Sequence, residues 1–266
     1  MKPIIKWNFW QRRWSIFWWC LGITAFVGLE LGVYPSVKSQ AAQLNEALSH
    51  LPESVRALIG GSSDLFSPVG YLNSRLFYLL LPLLLSILII GLGSSLIARE
   101  ETDGTIELLL GRPISRGKLL LAKALTGLLV SAVVVLVSAI SITSLVKAVG
   151  LVVPSGHILF AVLLAALLAL LFGMIAFCLS AMGAAGRGAS IGVACLVGLG
   201  SYIIASLESV VDWLSWPAKI LPYHYYNPTE VLNGFYAWKV ASVFTTVILI
   251  LGIISWLSFR RRDINS

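Results

Sequence analysis

The sequence predicts an all-α, polytopic membrane protein with six transmembrane helices and both termini in the cytoplasm. Three observations carry this. Hydrophobic residues fill 58% of the 266 positions and charged ones only 12%, and the mean hydropathy of +0.90 is far above that of a soluble domain. Apolar runs of about 20 residues recur, each long enough as a helix to cross a hydrocarbon core of roughly 30 Å. Lipid offers no partner to backbone amides, so the runs are helices. The short alternating strands of a transmembrane barrel do not occur.

The spans are read at residues 14–34, 75–97, 118–149, 157–182, 189–207 and 239–259. The third exceeds one bilayer crossing, which implies tilt or projection into the cytoplasm. Pro82 interrupts the second and predicts a kink there. The first could be mistaken for a signal peptide, because Lys2, Lys6, Arg12 and Arg13 precede it. Its length and the lack of a small-residue cleavage site mark it instead as a retained span. Trp7, Trp10, Trp14 and Trp18 recur at helical spacing, which makes residues 1–13 a cytoplasmic interfacial segment.

Orientation follows from the basic residues. With the N-terminus inside, thirteen of the nineteen lie on cytoplasmic segments: Lys2, Lys6, Arg12, Arg13, Arg99, Arg112, Arg116, Lys118, Lys123, Arg187, Arg260, Arg261 and Arg262. Lys38, Arg56, Arg75, Lys147, Lys219 and Lys239 lie outside. The positive-inside rule selects this arrangement in a cell membrane. The net charge of +7 then reflects topology and attraction to anionic lipid, and nucleic-acid binding is not needed.

Motifs for chemistry are missing. Cys20, Cys178 and Cys195 lie within spans without CxxC pairing. His50, His157 and His224 stand apart at outer boundaries, where structural roles are expected. No GxxxxGK[ST], HExxH or GxSxG pattern occurs, so the chain is expected to be no enzyme and to bind no cofactor itself.

The polar exception is the stretch AREETDGTIELLLGRPISRGKLLLAK, residues 98–123, which carries nine charges in 26 positions. Arg99 ends the second span as a snorkelling cation. Glu100, Glu101 and Asp103 place negative charge where the dipole of a new helix favours it, and Asp103 or Gly104 caps that helix. Ile106, Leu109 and Leu110 form an apolar stripe, and Gly111 with Pro113 stops the helix. Ser115 is placed to cap the third span. Residues 98–117 therefore form a rigid cytoplasmic loop with a short amphipathic helix. Its acids would face anionic headgroups unfavourably, so a soluble partner suits it better than lipid.

This stretch resembles the cytoplasmic signature of type 2 ABC exporter permeases: an acidic run, G-T-x-E-x-L-L, a small residue, P-x-S-R and a basic start to the next span. Glu100, Glu101, Gly104, Thr105, Glu107, Leu109, Leu110, Pro113, Ser115 and Arg116 match it. LPESVRALIG, SPVGYLNSRLFYLLLPLL and the aromatic LPYHYYNPTEVLNG before the last span are also similar, so the resemblance covers nearly the whole chain. It implies that the loop is a coupling helix docking on a separate ATPase subunit that holds ATP and Mg. It implies too that the chain pairs as a homodimer or with a second permease.

Two outer segments remain. Residues 35–74 are read as an outer loop with an amphipathic helix over 41–59, placing Leu44, Leu48, Leu51, Val55 and Leu58 on one face. Residues 208–238 are too polar to span. Trp213, Trp216, Tyr223, Tyr225, Tyr226, Phe235, Tyr236 and Trp238 are placed at headgroup depth, in a re-entrant or interfacial segment. Gly91–Ser95 and residues 184–201, with the pair Gly188 and Gly192, allow close helix approach within one chain or across a dimer. Glu30 is the one acid inside a span, near its outer end, where snorkelling competes with a substrate role.

The function expected is that of an ABC exporter permease for a hydrophobic or amphipathic drug, peptide or lipid. The alternatives are an ion-gradient-driven transporter and a non-transporting membrane scaffold or sensor. Spans nearly free of charge, in unlike halves, count against the first.

Overall fold

The computed structural model describes residues 2–40, 50, 52–58, 67–102, 115–183 and 186–261. The described residues are largely helical and include no strand. Six long helices organise them: α1 Arg13–Gly32, α2 Leu80–Thr102, α3 Arg116–Ala148, α4 Ser155–Met182, α5 Arg187–Leu207 and α6 Trp238–Arg261. Six helical stretches among the described residues are long and apolar enough to cross a membrane. At 33 residues, α3 is the longest of the six and extends about 50 Å.

The second span departs from the reading made from sequence. Its helical stretch begins at Pro68, where the Ser67 hydroxyl accepts the amide of Gly70 at 3.0 Å and so caps the first turn. Residues Asn73–Phe77 then form a π-turn, closed by the amide of Tyr78 on the Asn73 carbonyl five residues back, at 2.7 Å. Regular α-helix resumes at Leu80, with Pro82 in its first turn. The irregularity thus lies on the N-terminal side of Pro82, because proline removes the donor for the carbonyl four residues before it.

The far end of this helix also differs. Its backbone continues through Glu100 and Glu101 to Thr102, so these acids end α2 and do not open the next helix. Glutamate and arginine are good helix formers, and they carry the ladder one turn past the apolar run. Of the amphipathic helix expected over 41–59, Glu53–Leu58 is helical. Leu44, Leu48 and Leu51 lie outside the described residues.

Burial places α4 at the centre. Of its most apolar window 67% is buried, against 17% for α6. Its closest neighbour is α2. A Cβ added to Gly93 would stand 2.4 Å from the Gly173 carbonyl oxygen, and one added to Gly173 would stand 2.9 Å from that of Ile89. Only glycine lets the two backbones approach this far, the small-residue packing expected between helices in lipid. Gly183 ends α4 in the left-handed region, at φ 67°.

On α3, Leu119, Lys123, Thr126, Val130, Val134, Ser138, Ile142 and Val146 are all buried. They recur every three or four residues, so they form one stripe facing the bundle. Thr126 and Ser138 return their hydroxyls to carbonyls four residues back, both at 2.8 Å. Thr24 of α1 and Ser141 of α3 pair at 2.9 Å.

Gly188 and Gly192 behave differently from Gly93, since an added Cβ at either meets nothing within 4 Å in this chain. G93A and G173A are each expected to lose about 1–3 kcal/mol of stability by overpacking, while G188A leaves the monomer unchanged. Unfolding titrations of the purified protein in detergent micelles decide this, and equal stability of all three variants would refute the packing account.

Candidate functional site

The residues that flank the charged loop meet at one end of the bundle, together with Arg12 and the end of α6 at Phe259. Leu96 of α2, Leu120 of α3, Phe177 and Ala181 of α4 and Phe259 of α6 make a compact apolar cluster, packed by Ala124 and Met174. This neck joins four helices where α2 and α3 leave for the loop. Gly117 packs against α6, since a Cβ there would lie 2.8 Å from the indole nitrogen of Trp256. The Arg260 guanidinium covers that indole ring at 4.5 Å, a cation–π contact.

Two basic side chains tie the α2 end of the neck. Arg12 donates through Nη2 to the Ser95 hydroxyl at 3.1 Å. Lys123 donates through Nζ to the Leu96 carbonyl at 2.6 Å and is only 4% exposed. Between α4 and α5, the hydroxyls of Ser180 and Ser190 pair at 3.2 Å.

The residues expected in the coupling loop are only partly placed. Gly104, Thr105, Glu107, Leu109, Leu110 and Pro113 lie outside the described residues. The backbones of Glu100 and Glu101 belong to the last turns of α2, and Arg116 is the first residue of α3. Ser115 occupies the N-cap position in extended conformation (φ −66°, ψ 142°), without a side-chain capping bond. Its carbonyl starts the helix, accepting the amides of Lys118 at 2.9 Å and Leu119 at 3.1 Å.

Beside the neck lies an apolar cavity of ≈70 Å³, lined among others by Leu92, Gly93, Gly127, Gly173 and Phe177. No group of three or more His, Cys, Asp or Glu among the described residues could hold a metal.

The opposite end is closed by tyrosines, and here the sequence reading needs correction. Trp213 is 74% exposed, and Trp216, Phe235 and Trp238 also face outward. Tyr223 and Tyr226 instead fall to 6% and 4% exposure. Tyr226 donates to the Phe77 carbonyl at 2.7 Å, and Tyr223 donates to the carbonyl of Tyr78. The Tyr78 carbonyl is the one that Pro82, four residues on, leaves without its helical donor. The Tyr223 phenol thus supplies what the proline removes, and that lost donor was the signal that could have placed it.

The other aromatic hydroxyls join in. Tyr78 donates to Ser206 Oγ at 2.8 Å, and Tyr202 to the Leu58 carbonyl at 2.5 Å. The rings of Tyr78, Tyr202 and Tyr223 meet edge to face. Burial pushes the phenols of Tyr223 and Tyr226 well above the usual tyrosine range, so they remain neutral donors. Glu30 is half-buried, with its carbonyl accepting the Tyr71 hydroxyl at 2.5 Å. His157 Nδ1 lies 3.1 Å from the Leu232 carbonyl, and His224 Nδ1 lies 2.7 Å from a Glu208 carboxylate oxygen.

A six-span helical bundle with a charged loop rooted in a four-helix neck is the architecture of a multi-pass membrane transport subunit. The model of the family described as ABC-2 family transporter protein matches residues 3–264, and the chain belongs to that family. It is the permease component of an ABC transporter, and membership implies an ABC ATPase as partner. No curated protein matches the sequence.

Y226F is expected to cost about 1–3 kcal/mol, because it orphans a buried carbonyl. The raised phenol also sets a pH dependence. Its contribution is complete below the unfolded pKa near 10 and is lost as the pH climbs toward the higher folded value. Denaturation of parent and Y226F at pH 8 and pH 11 checks both. A parent as stable at pH 11 as at pH 8 would refute the titration argument.

Proposed function

We propose that this chain is the exporting half-pathway of an ATP-driven transporter, docked through residues 98–117 to a separate ATPase. The observation that carries this reading is the neck. The two helices bounding the acidic and basic loop converge there with α4 and α6, so force on the loop reaches most of the bundle.

The termini and the loop are cytoplasmic on this reading. Arg12, Arg13, Lys118, Lys123, Arg260 and Arg261 belong to the loop end and Lys38, Arg56, Arg75, Lys147, Lys219 and Lys239 to the tyrosine end, which supports that orientation. Glu100, Glu101, Gly104, Thr105, Glu107, Leu109, Leu110, Pro113, Ser115 and Arg116 form or frame the docking element. Two permeases and two ATPases, holding ATP and Mg in the latter, make the working unit in the cell membrane. The open face of α5 at Gly188 and Gly192 supports pairing with a second permease.

ATP-driven closure of the ATPases moves the two loops, and the bundles rock between access states. Nucleotide shifts that equilibrium through its differential affinity for the two states. A pathway built from apolar and aromatic side chains suits an amphipathic drug, peptide or lipid. E107A and G104P are expected to insert normally and lose the ATPase. Affinity purification in mild detergent with mass-spectrometric identification measures this. A stoichiometric ATPase in the parent, depleted in both variants, supports the reading; full retention in both rejects the docking assignment.

A further inference from the structure

We propose that Lys123 is a positioning residue that locks the two roots of the charged loop together, so that the loop moves α2 and α3 as one lever. The inference rests on the coupling role proposed for that loop and adds a residue outside it.

Three observations carry it. Lys123 sits on the buried stripe of α3, between Leu119 and Thr126, where an aliphatic side chain would pack without desolvating a charge. A lysine two turns inside a span ordinarily snorkels toward the near interface. This one reaches sideways to the neighbouring helix, and its 2.6 Å contact has the length of a charge-assisted hydrogen bond. The bond joins residues 27 apart in sequence, one on each side of the loop. It therefore closes the loop at its base.

The acceptor position reinforces this. Leu96 follows Ser95, which Arg12 holds from the chain's N-terminal segment. Two consecutive residues of α2 are thus gripped from two directions by cations. Just above them Gly93 meets Gly173 of α4, so a push on the tied roots passes into the central helix. Without the tie, the loop could swing on α2 while α3 stayed in place, and work done on the loop would be dissipated there.

Two measurements test the proposal. In the isolated chain, spin labels at T102C and S115C, in a C20A/C178A/C195A background, report the distance between the roots by pulsed EPR. A narrow distribution that broadens in K123M and narrows again in K123R supports the tie. K123Q, one bond shorter and neutral, is expected to broaden as K123M does and gives the same readout where K123M inserts poorly. Equal widths in parent, K123M and K123Q overturn it.

In the complex with its ATPase, the labelling rate of W213C at the opposite end reports the response to added nucleotide. K123M is expected to retain the ATPase, because Lys123 is only 4% exposed, yet to lose the nucleotide response by about fivefold or more. An unchanged response overturns the proposal. A parent chain that holds no ATPase defeats the coupling reading instead, and the root distances still decide whether Lys123 ties the loop.

Discussion

The approach of α2 to α4 at Gly93 and Gly173 is the contact around which the bundle is arranged. Two backbones come close enough that a methyl group on either glycine would collide with a carbonyl of the other helix. Lipid tails are as apolar as the helix surfaces, so association gains little from the hydrophobic effect and depends on such packing. Once these helices are in register, α3 lays its stripe against them, and Thr24 and Ser141 hold α1 to α3. The outermost helix, α6, has little of its surface buried and follows the others.

The two ends of that pair solve opposite problems. At the tyrosine end the π-turn and Pro82 interrupt the regular ladder, and phenol groups from a distant segment complete it. That end is held by many bonds with neutral partners. At the loop end the apolar cluster is small, and two cations grip adjacent residues of one helix. One end is a seal and the other a joint.

Much of this was legible in the amino-acid order. Apolar run length reports directly on membrane thickness, so five of the spans lie within a few residues of their predicted bounds. The second did not, because the effect of Pro82 appears at the carbonyls before it and the effect of Glu100 and Glu101 extends the helix after it. Tyr223 and Tyr226 were grouped with their exposed neighbours because composition assigns depth to a segment, while hydrogen bonding assigns it to each side chain. Lys123 looked like one more basic residue of the cytoplasmic face. Counting back from Val130 through Thr126 would have put it on the buried stripe, but only the fold names Leu96 as its acceptor. The loop residues from Gly104 to Pro113 stand out by chemistry alone, since they lie outside the described structure.

The tyrosine seal also has a consequence in time. The carbonyls of Tyr78 and Phe77 receive phenols that follow them by 145 and 149 residues. At translation rates of about 5–20 residues per second, that interval is roughly 7–30 seconds. During it the Tyr78 carbonyl has neither the helical donor that Pro82 removes nor the phenol that replaces it. The bonds that complete the top of the second span therefore form only after the segment following α5 is made, although that span is among the first parts of the protein to be synthesised.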